Sequence, residues 1–264
     1  MRTSVKIVLL ASVTAALGVA LWKRRKIAQA ADVVVQEVST VAYDLRDKLP
    51  WSNKPSPELL DAIGKASAKY PKVPVLLLVA VARNESNFRI GTCDNPLKAG
   101  TFRRERGSWS KRKDSKIPGS DKTWADLYQP EEWGSYGPFQ ILPMNFMGTG
   151  KPLSAGEPLC KAHEPHLSAE VAAGMLEASY KKYGNWVNAL AAYNGGPGGA
   201  RSSKIIGGYV MHIAKHLTDL GPQARALLPE TIAGLGGFGA LRRRRDSYPV
   251  YDVTGRIVDW VDVY

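Results

Sequence analysis

The chain has 264 residues, of which 44% are hydrophobic and 23% charged, so it can bury one good-sized core with appendages. Two cysteines in the whole chain exclude a disulfide-rich scaffold. The net charge of +12 is concentrated near the N-terminus, at 101–116 and at 242–245. Local basic patches suit anionic partners such as lipid headgroups or nucleic acid, and charge alone does not choose between them.

The N-terminal segment contains an uncharged apolar run from Ile7 to Trp22. The run is just long enough to cross a thin bilayer, so residues 1–26 are predicted to be a membrane anchor. A cleaved signal peptide is the rival, since Ala28-Gln29-Ala30 resembles a processing site, but the four basic residues 23–26 disfavour it. A buried soluble helix would show an amphipathic stripe, which the run lacks. The positive-inside rule mildly favours a cytosolic C-terminal side.

Residues 27–56 are predicted to form a stalk helix followed by a proline-rich linker. Ser56 and Pro57 have the composition of an N-cap and a first helical position, so the next helix is expected over 57–70. A second, largely apolar helix is expected to follow it.

Glu85 is predicted to lie at the end of this apolar helix. Residues 75–82 carry no polar side chain, so a helix made from them is buried nearly all round. Burial and the negative end of the helix dipole both disfavour the carboxylate and raise the pKa of Glu85. A carboxyl group that stays protonated near neutral pH is suited to general-acid catalysis. The competing interpretation is a solvated glutamate paired with Arg83 or Arg89.

Residues 91–132 form a long polar stretch, interpreted as a loop whose basic part is 97–132. Loops this long inside a compact domain are usually functional or mobile. Four interpretations stay open: a lid, a clamp on an anionic substrate, a docking surface for a partner, or a solvated, disordered charge run.

Three more core helices are predicted beyond this loop, one beginning at Ser168 and the others over 186–193 and 205–217. The core is therefore mainly α. The tail at 218–264 ends in residues rich in Val, Ile, Tyr and Trp, with Thr254-Gly255 as a hairpin turn. It is interpreted as a small β-like attachment element.

The histidines and cysteines lack the spacing of a metal site. His163 and His166 fall in a predicted loop, and His212 and His216 lie four apart on a predicted helix. Solvated or packed histidines are the simpler interpretation, and neither a metal nor a cofactor is expected. The two cysteines, 93 and 160, would bridge if the domain lies outside the cytoplasm.

Three segments in order carry a family resemblance: Asn84-Glu-Ser-Asn-Phe88, Ser135-Tyr-Gly-Pro-Phe-Gln-Ile-Leu-Pro143 and Ala189-Leu-Ala-Ala-Tyr-Asn-Gly-Gly-Pro-Gly198. They resemble the Glu-Ser-x-Phe, Gly-Leu-Met-Gln-Ile-x-Pro and Ala-Tyr-Asn-x-Gly-Pro-Gly motifs of the soluble lytic transglycosylases, which share a fold with goose-type lysozyme. The resemblance covers about 57–217 and implies a lysozyme-like catalytic domain. The second motif departs from the family at Pro138 and Phe139, and it lies unusually far from the first.

The resemblance implies cleavage of the β-1,4 bond between N-acetylmuramic acid and N-acetylglucosamine in peptidoglycan. Glu85 would be the single catalytic acid and base, and the product would be a 1,6-anhydro sugar formed without water. A lysozyme-type hydrolase needs a second carboxylate. The loop offers several candidates for it: Asp94, Asp121, Asp126, Glu131 and Glu132.

The substrate-binding residues that the resemblance and side-chain chemistry indicate are Ser86, Gly137, Phe139, Gln140, Tyr193, Asn194 and Tyr209. Gln140 offers an amide to an N-acetyl group, and Gly137 lets the backbone approach a sugar. The Tyr193 hydroxyl is expected to reach Glu85, and Asn194 to fix the backbone that follows. Ser86 is equally well explained as a helix cap, and Tyr193 as a core aromatic.

The favoured hypothesis is a single-pass membrane lytic transglycosylase, in a virion membrane or a bacterial inner membrane, that opens the wall locally for phage genome delivery or a secretion-type assembly. The expected partners are glycan strands, a lipid bilayer through residues 7–22, and a structural protein through the basic loop or the tail. One alternative is a lysozyme-type hydrolase. Another is a non-catalytic membrane protein that binds nucleic acid, which the three motifs disfavour.

Overall fold

The computed structural model describes residues 46–47, 49–98, 100–147 and 151–220, and the backbone of 247–251 and 257–262. The first half contains helices α1 (Pro57–Lys69) and α2 (Val75–Ser86), strand β1 (Phe102–Arg104), helices α3 (Arg106–Arg112) and α4 (Trp124–Leu127), and strand β2 (Gly134–Tyr136). The second half contains α5 (Pro165–Tyr183), α6 (Trp186–Gly195), α7 (Ser203–Ile205), a π-helical turn (Ile206–Val210), α8 (Met211–Asp219) and strands β3 (Ser247–Tyr251) and β4 (Ile257–Asp262). The protein is thus mainly helical, as the sequence predicts.

The ends of the helices follow local sequence chemistry. The Ser56 hydroxyl accepts a hydrogen bond from the Leu59 N–H at 3.1 Å, which confirms the predicted start of α1. Helix α5 stops at Gly184, whose φ of 76° is left-handed. The Asn185 side chain then caps α6 by accepting from the Asn188 N–H at 2.8 Å. These caps fix where each core helix begins and ends.

Helix α2 occupies the centre of the core. Residues 76–82 are all buried, and the helix packs against α1, α5 and α8. A helix surrounded in this way needs apolar side chains on every face, which is what its sequence supplies. Glu85 is therefore carried on a rigid element, in the last turn before the helix reaches the surface.

Two predicted helix boundaries need correction. Helix α5 begins at Pro165, not Ser168, because proline suits the first turn and the Ser168 N–H already bonds to the Glu164 carbonyl at 2.9 Å. The last helical stretch runs over 203–219 and is interrupted by the π-helical turn, whose extra residue a simple 3.6-residue period does not reveal.

The segment predicted as a long loop is folded over most of its length. Residues 100–136, the insertion, contain β1, α3, α4 and β2, and β1 pairs antiparallel with β2. Trp109 and Trp124 each pack against Trp133, with ring centres 5.5 and 5.0 Å apart. All three indoles are buried together with Ile117. The interpretation as a disordered charge run is therefore wrong, because the insertion has an aromatic core of its own.

Several predicted segments lie outside the described residues: the anchor run 7–22, nearly all of the stalk, and the turn at Thr254-Gly255. Among the helices that are described, none is both apolar and long enough for a membrane span. Strands β3 and β4 pair antiparallel, Ser247 opposite Asp262, which confirms the hairpin predicted in the tail.

Candidate active site

Glu85 lies at the point where α2 ends in a tight backbone turn. Asn87 and Phe88 both have left-handed φ values, 57° and 65°, and the Asn87 N–H donates to the Arg83 carbonyl at 3.0 Å. Phe88 is buried, which holds the reversed chain against the core. Two successive non-glycine residues in this region are costly, so the turn is held by its surroundings.

Burial raises the pKa of Glu85 from 4.5 to about 7, and this desolvation is the largest influence on it. The nearby Tyr209 hydroxyl and the positive charge of Arg103 act in the opposite direction, and the negative charge of Glu105 adds to the rise. The residue keeps some exposure to solvent. Glu85 is therefore a carboxyl group that is about half protonated near neutral pH and still accessible.

Two partly buried tyrosines stand next to Glu85. Burial raises the pKa of both Tyr193 and Tyr209 well above its usual value, and the nearby Glu85 carboxyl adds to each rise. Tyr209 belongs to the π-helical turn, and its hydroxyl faces Glu85 although no partner among the described residues meets regular hydrogen-bond distance and angle. The Tyr193 hydroxyl donates to the Phe139 carbonyl at 2.7 Å. The expected bond from Tyr193 to Glu85 is thus replaced by one to the neighbouring turn.

Residues 137–140 form a turn, here called the motif turn, that approaches other backbone closely. Gly137 has a φ of 74°, and a Cβ atom there would lie 2.6 Å from the Ala162 carbonyl oxygen. Gln140 also has a left-handed φ, of 47°. Glycine is required at the first position because both conformation and space exclude a side chain.

The Gln140 side chain is already engaged within the protein. Its Nε2 donates to the carbonyls of Thr101 at 3.1 Å and Gly137 at 2.9 Å. Oε1 is therefore the amide atom left to receive a donor from a sugar. The side chain of Phe139 is fully buried, so it supports the motif turn from the core and does not form an exposed wall.

The predictions for Ser86 and Asn194 have different outcomes. The Ser86 Oγ lies 3.0 Å from the Pro138 carbonyl and 3.3 Å from the Ala82 carbonyl, so it joins the end of α2 to the motif turn. Asn194 is exposed, and its side chain makes no hydrogen bond to any other described residue. The backbone contact expected from Asn194 is thus missing from this geometry.

His163 is a positioning residue that the sequence does not identify. It is buried; its Nδ1 accepts from the Gly137 N–H at 3.2 Å, and its Nε2 lies 2.8 Å from the Pro96 carbonyl. These partners require the neutral ring with the proton on Nε2, and burial lowers the pKa of His163 accordingly. His163 holds the motif turn, and no local sequence pattern indicates this.

The sequence also does not predict a cluster of charged and polar side chains on the insertion. The Arg103 Nε lies 2.9 Å from the Glu105 Oε1, and the Ser135 hydroxyl lies 3.4 Å from the same oxygen. Arg103 and Ser135 are opposite each other in the β1–β2 pair. Glu105 was not among the loop carboxylates proposed as a second acid, and it is the one whose charge affects Glu85.

Three further aromatic residues, Trp133, Tyr136 and Tyr180, are committed to packing. Trp133 and Tyr136 are buried, and Tyr180 stacks on Trp186 with ring centres 4.4 Å apart. The loop acid Asp126 caps α4 by accepting from the Thr123 N–H at 2.7 Å.

Cys93 and Cys160 form a disulfide, which links the segment after α2 to the turn before α5. The sequence leaves this pairing open, and the structure contains it. Within the described ranges, no three His, Cys, Asp or Glu side chains cluster as metal ligands would.

A family model, that of the transglycosylase SLT domain, matches residues 61–205, which is more than half of the chain. The match includes Glu85, the insertion, the motif turn and Tyr193, and it ends just before the π-helical turn that carries Tyr209. Neither the curated proteins nor the solved structures contain a significant match.

Proposed function

The chain belongs to the transglycosylase SLT domain family, whose members are peptidoglycan lytic transglycosylases, and on this premise we propose that Glu85 is its single catalytic acid and base. The observation that carries the proposal is the position of this carboxyl group at the end of a buried helix, where desolvation raises its pKa to about 7. A group with this pKa can both give and take a proton at neutral pH. The substrate is peptidoglycan.

The proposed reaction uses one carboxyl group twice, first as an acid and then as a base. Protonated Glu85 gives its proton to the glycosidic oxygen, and the bond from that oxygen to the anomeric carbon of the muramic acid residue breaks. The Glu85 carboxylate then removes the proton from the C6 hydroxyl of the same sugar as its oxygen bonds to the anomeric carbon. The products are a 1,6-anhydro end and a free 4-hydroxyl, Glu85 is protonated again, and no water is consumed.

Tyr209 and the motif turn have supporting roles in this proposal. The Tyr209 hydroxyl favours the charged form of Glu85, so it would stabilise the carboxylate after the first proton transfer. Gln140 Oε1 and the backbone near Gly137 would contact the sugars. Ser86 and Tyr193 hold the turn in register with the helix end, through bonds to the carbonyls of Pro138 and Phe139.

Digestion of purified peptidoglycan tests the assignment. The intact chain should release muropeptides with anhydro ends, measured by mass spectrometry, and Glu85→Gln should release none. Asp114→Asn is the matched control, because Asp114 is an exposed acid of the insertion and was not a candidate for the second catalytic carboxylate. Undiminished release by Glu85→Gln would refute the role of Glu85.

Hydrolysis of lysozyme type is the second candidate. The observation that favours it is a second carboxylate, Glu105, whose charge acts on Glu85. A second carboxylate near the acid could activate water. Glu105 is instead occupied by Arg103 and Ser135, which supports the one-carboxylate route. Reducing ends that carry one added water would establish the hydrolase.

We further propose that the enzyme is a single-pass membrane protein whose catalytic domain acts on peptidoglycan outside the cytoplasm. The apolar run 7–22 supports the anchor, and the disulfide between Cys93 and Cys160 supports an oxidising compartment. Detection of the chain in purified phage particles would distinguish a virion membrane from a bacterial inner membrane. The intact chain should resist alkaline extraction from membranes, and a chain lacking 1–26 should not. Equal extraction of the two would exclude the anchor.

The exposed cations of the insertion are proposed to dock a structural protein partner. Arg104, Lys111, Arg112 and Lys116 are exposed, and within the described part of the chain they form no ion pair. Replacing all four by glutamine should abolish partner recruitment while leaving wall cleavage intact. Tight, strongly salt-dependent DNA binding lost in the same variant would favour nucleic acid as the partner.

A further inference from the structure

Glu105 makes three contacts that position its ion pair with Arg103. The Glu105 N–H donates to the Trp133 carbonyl at 3.2 Å, which extends the β1–β2 pairing by one residue. The Glu105 carboxylate contacts the Arg103 Nε at 2.9 Å and the Ser135 hydroxyl at 3.4 Å. The backbone of both residues is therefore fixed, Arg103 within β1 and Glu105 directly after it, while their paired side chains stay partly exposed.

The same strands are tied to the motif turn. The Thr101 carbonyl, just before β1, accepts from the Gly137 N–H at 3.0 Å and from Gln140 Nε2 at 3.1 Å. The motif turn also contacts Ser86, the neighbour of Glu85. The Ser86 hydroxyl donates to the Pro138 carbonyl at 3.0 Å. A short chain of direct contacts thus fixes the position of the ion pair relative to the catalytic carboxyl.

From this arrangement we propose that Arg103 and Glu105 are positioning residues that set the proton affinity of Glu85, with Glu105 holding the guanidinium so that it does not pair with Glu85. The proposal rests on the proposed function, in which Glu85 is the acid and base. It deepens that function by assigning a role to the insertion, which the catalytic motifs do not explain.

The charged and titratable groups facing Glu85 support the proposal. Tyr193 and Tyr209 stay neutral near pH 7, because burial raises the pKa of each hydroxyl well above its usual value. Arg103 and Glu105 are the charged residues, among those the structure describes, that affect Glu85, and they act with opposite signs. Each of the two effects is smaller than that of burial, so burial decides the pKa of Glu85.

Removing either partner of the pair should shift the pKa of Glu85, and the two shifts should have opposite directions. Glu105→Gln removes a negative charge near Glu85 and frees the Arg103 guanidinium, and both effects favour the carboxylate. Arg103→Gln removes the positive charge and leaves the Glu105 carboxylate unpaired, and both effects favour the protonated form. The protonated form starts the reaction, so the alkaline limb of the pH–rate profile reports the pKa of Glu85.

The test is the pH profile of peptidoglycan cleavage by the intact chain and its variants. Glu105→Gln should move the alkaline limb to lower pH and Arg103→Gln to higher pH, each by about half a pH unit or more. Arg104→Gln is the matched control: it removes the same charge from the next residue of β1, whose side chain points to the other face of the strand pair. Its limb should coincide with that of the wild type.

Three results would overturn the proposal while leaving the proposed function standing: limbs that do not move, limbs that move in the same direction, or loss of activity at every pH without a shift. A ¹³C NMR titration of the Glu85 carboxyl, assigned by comparison with Glu85→Gln, gives the same shifts without turnover and serves if a variant is inactive. If Glu85→Gln cleaves peptidoglycan as well as the wild type, the proposed function itself fails, which is a distinguishable outcome.

Discussion

The buried carboxyl of Glu85 should make the stability of the domain depend on pH, and Glu85→Gln should remove that dependence. The pKa of Glu85 is about 7 in the folded protein, against 4.5 for an exposed glutamate. A folded-state pKa above the unfolded value stabilises the protein fully below pH 4.5, and this stabilisation is lost as pH rises through 7. Unfolding therefore becomes easier with rising pH, because the unfolded chain releases the proton first.

The size of the effect follows from the two pKa values. Each unit between them corresponds to about 1.4 kcal/mol, so the full change between pH 4.5 and 8 is about 3 kcal/mol. Glutamine has nearly the same shape as glutamic acid and does not titrate. The free energy of unfolding of Glu85→Gln, relative to wild type, should thus increase by about 3 kcal/mol over this pH range.

Urea unfolding at pH 4.5, 6 and 8 measures the difference. A fragment beginning at Arg46 is suitable, since it retains Leu49 and Trp51, both of which are buried in the core. The exposed acid Asp121, changed to Asn, is the control whose difference from wild type should stay constant. A constant difference for Glu85→Gln as well would show that Glu85 has an ordinary pKa, and the argument from burial would be refuted.

Three further changes have defined outcomes. Replacing Cys93 and Cys160 by serine opens a link between residues 67 apart in sequence, which should lower the free energy of unfolding in urea by about 4 kcal/mol. Tyr209→Phe removes a hydroxyl that lowers the pKa of the Glu85 carboxyl, so the alkaline limb of activity should move to higher pH. Gly137→Ala should cost about 2 kcal/mol or more of stability and most of the activity, because the added Cβ meets a backbone carbonyl at 2.6 Å.

Each of these predictions has either a control or a result that would contradict it. Reduced wild type should unfold at the same urea concentration as the cysteine variant, and a difference between them would indicate damage from the serines. A limb that moves to lower pH in Tyr209→Phe would contradict the assigned sign. Gly107→Ala is matched to the change at Gly137, since it lies in helix α3 with open space around it and should be neutral or stabilising.

The sequence predicts the position and the chemistry of Glu85 because both depend on local features. An apolar run of just over two helical turns, residues 75–82, must be buried, and a carboxyl group at its end must be desolvated with it. The raised pKa confirms this reasoning. The cap at Ser56 is similarly local, and it confirms the helix start that it predicts.

Residues whose roles depend on distant partners could not be predicted. Glu105 approaches Glu85 because β1 pairs with β2, some thirty residues further along the chain, and no short pattern records that pairing. The His163 ring binds the backbone of Gly137 and Pro96, two segments far from it in sequence. The loop interpretation of the insertion failed because exposed charges outnumber the few tryptophans that form its core.

The pairing of β1 with β2 brings the two ends of the insertion together, Phe102 opposite Tyr136. A segment whose ends meet can be gained or lost during evolution with little change elsewhere, because a short turn can close the same gap. An ancestral enzyme without residues 103–135 would keep Glu85 and the motif turn but lack the Arg103–Glu105 pair. Acquisition of such a module would let a lineage adjust the acidity at which it cuts a wall without altering the catalytic motifs.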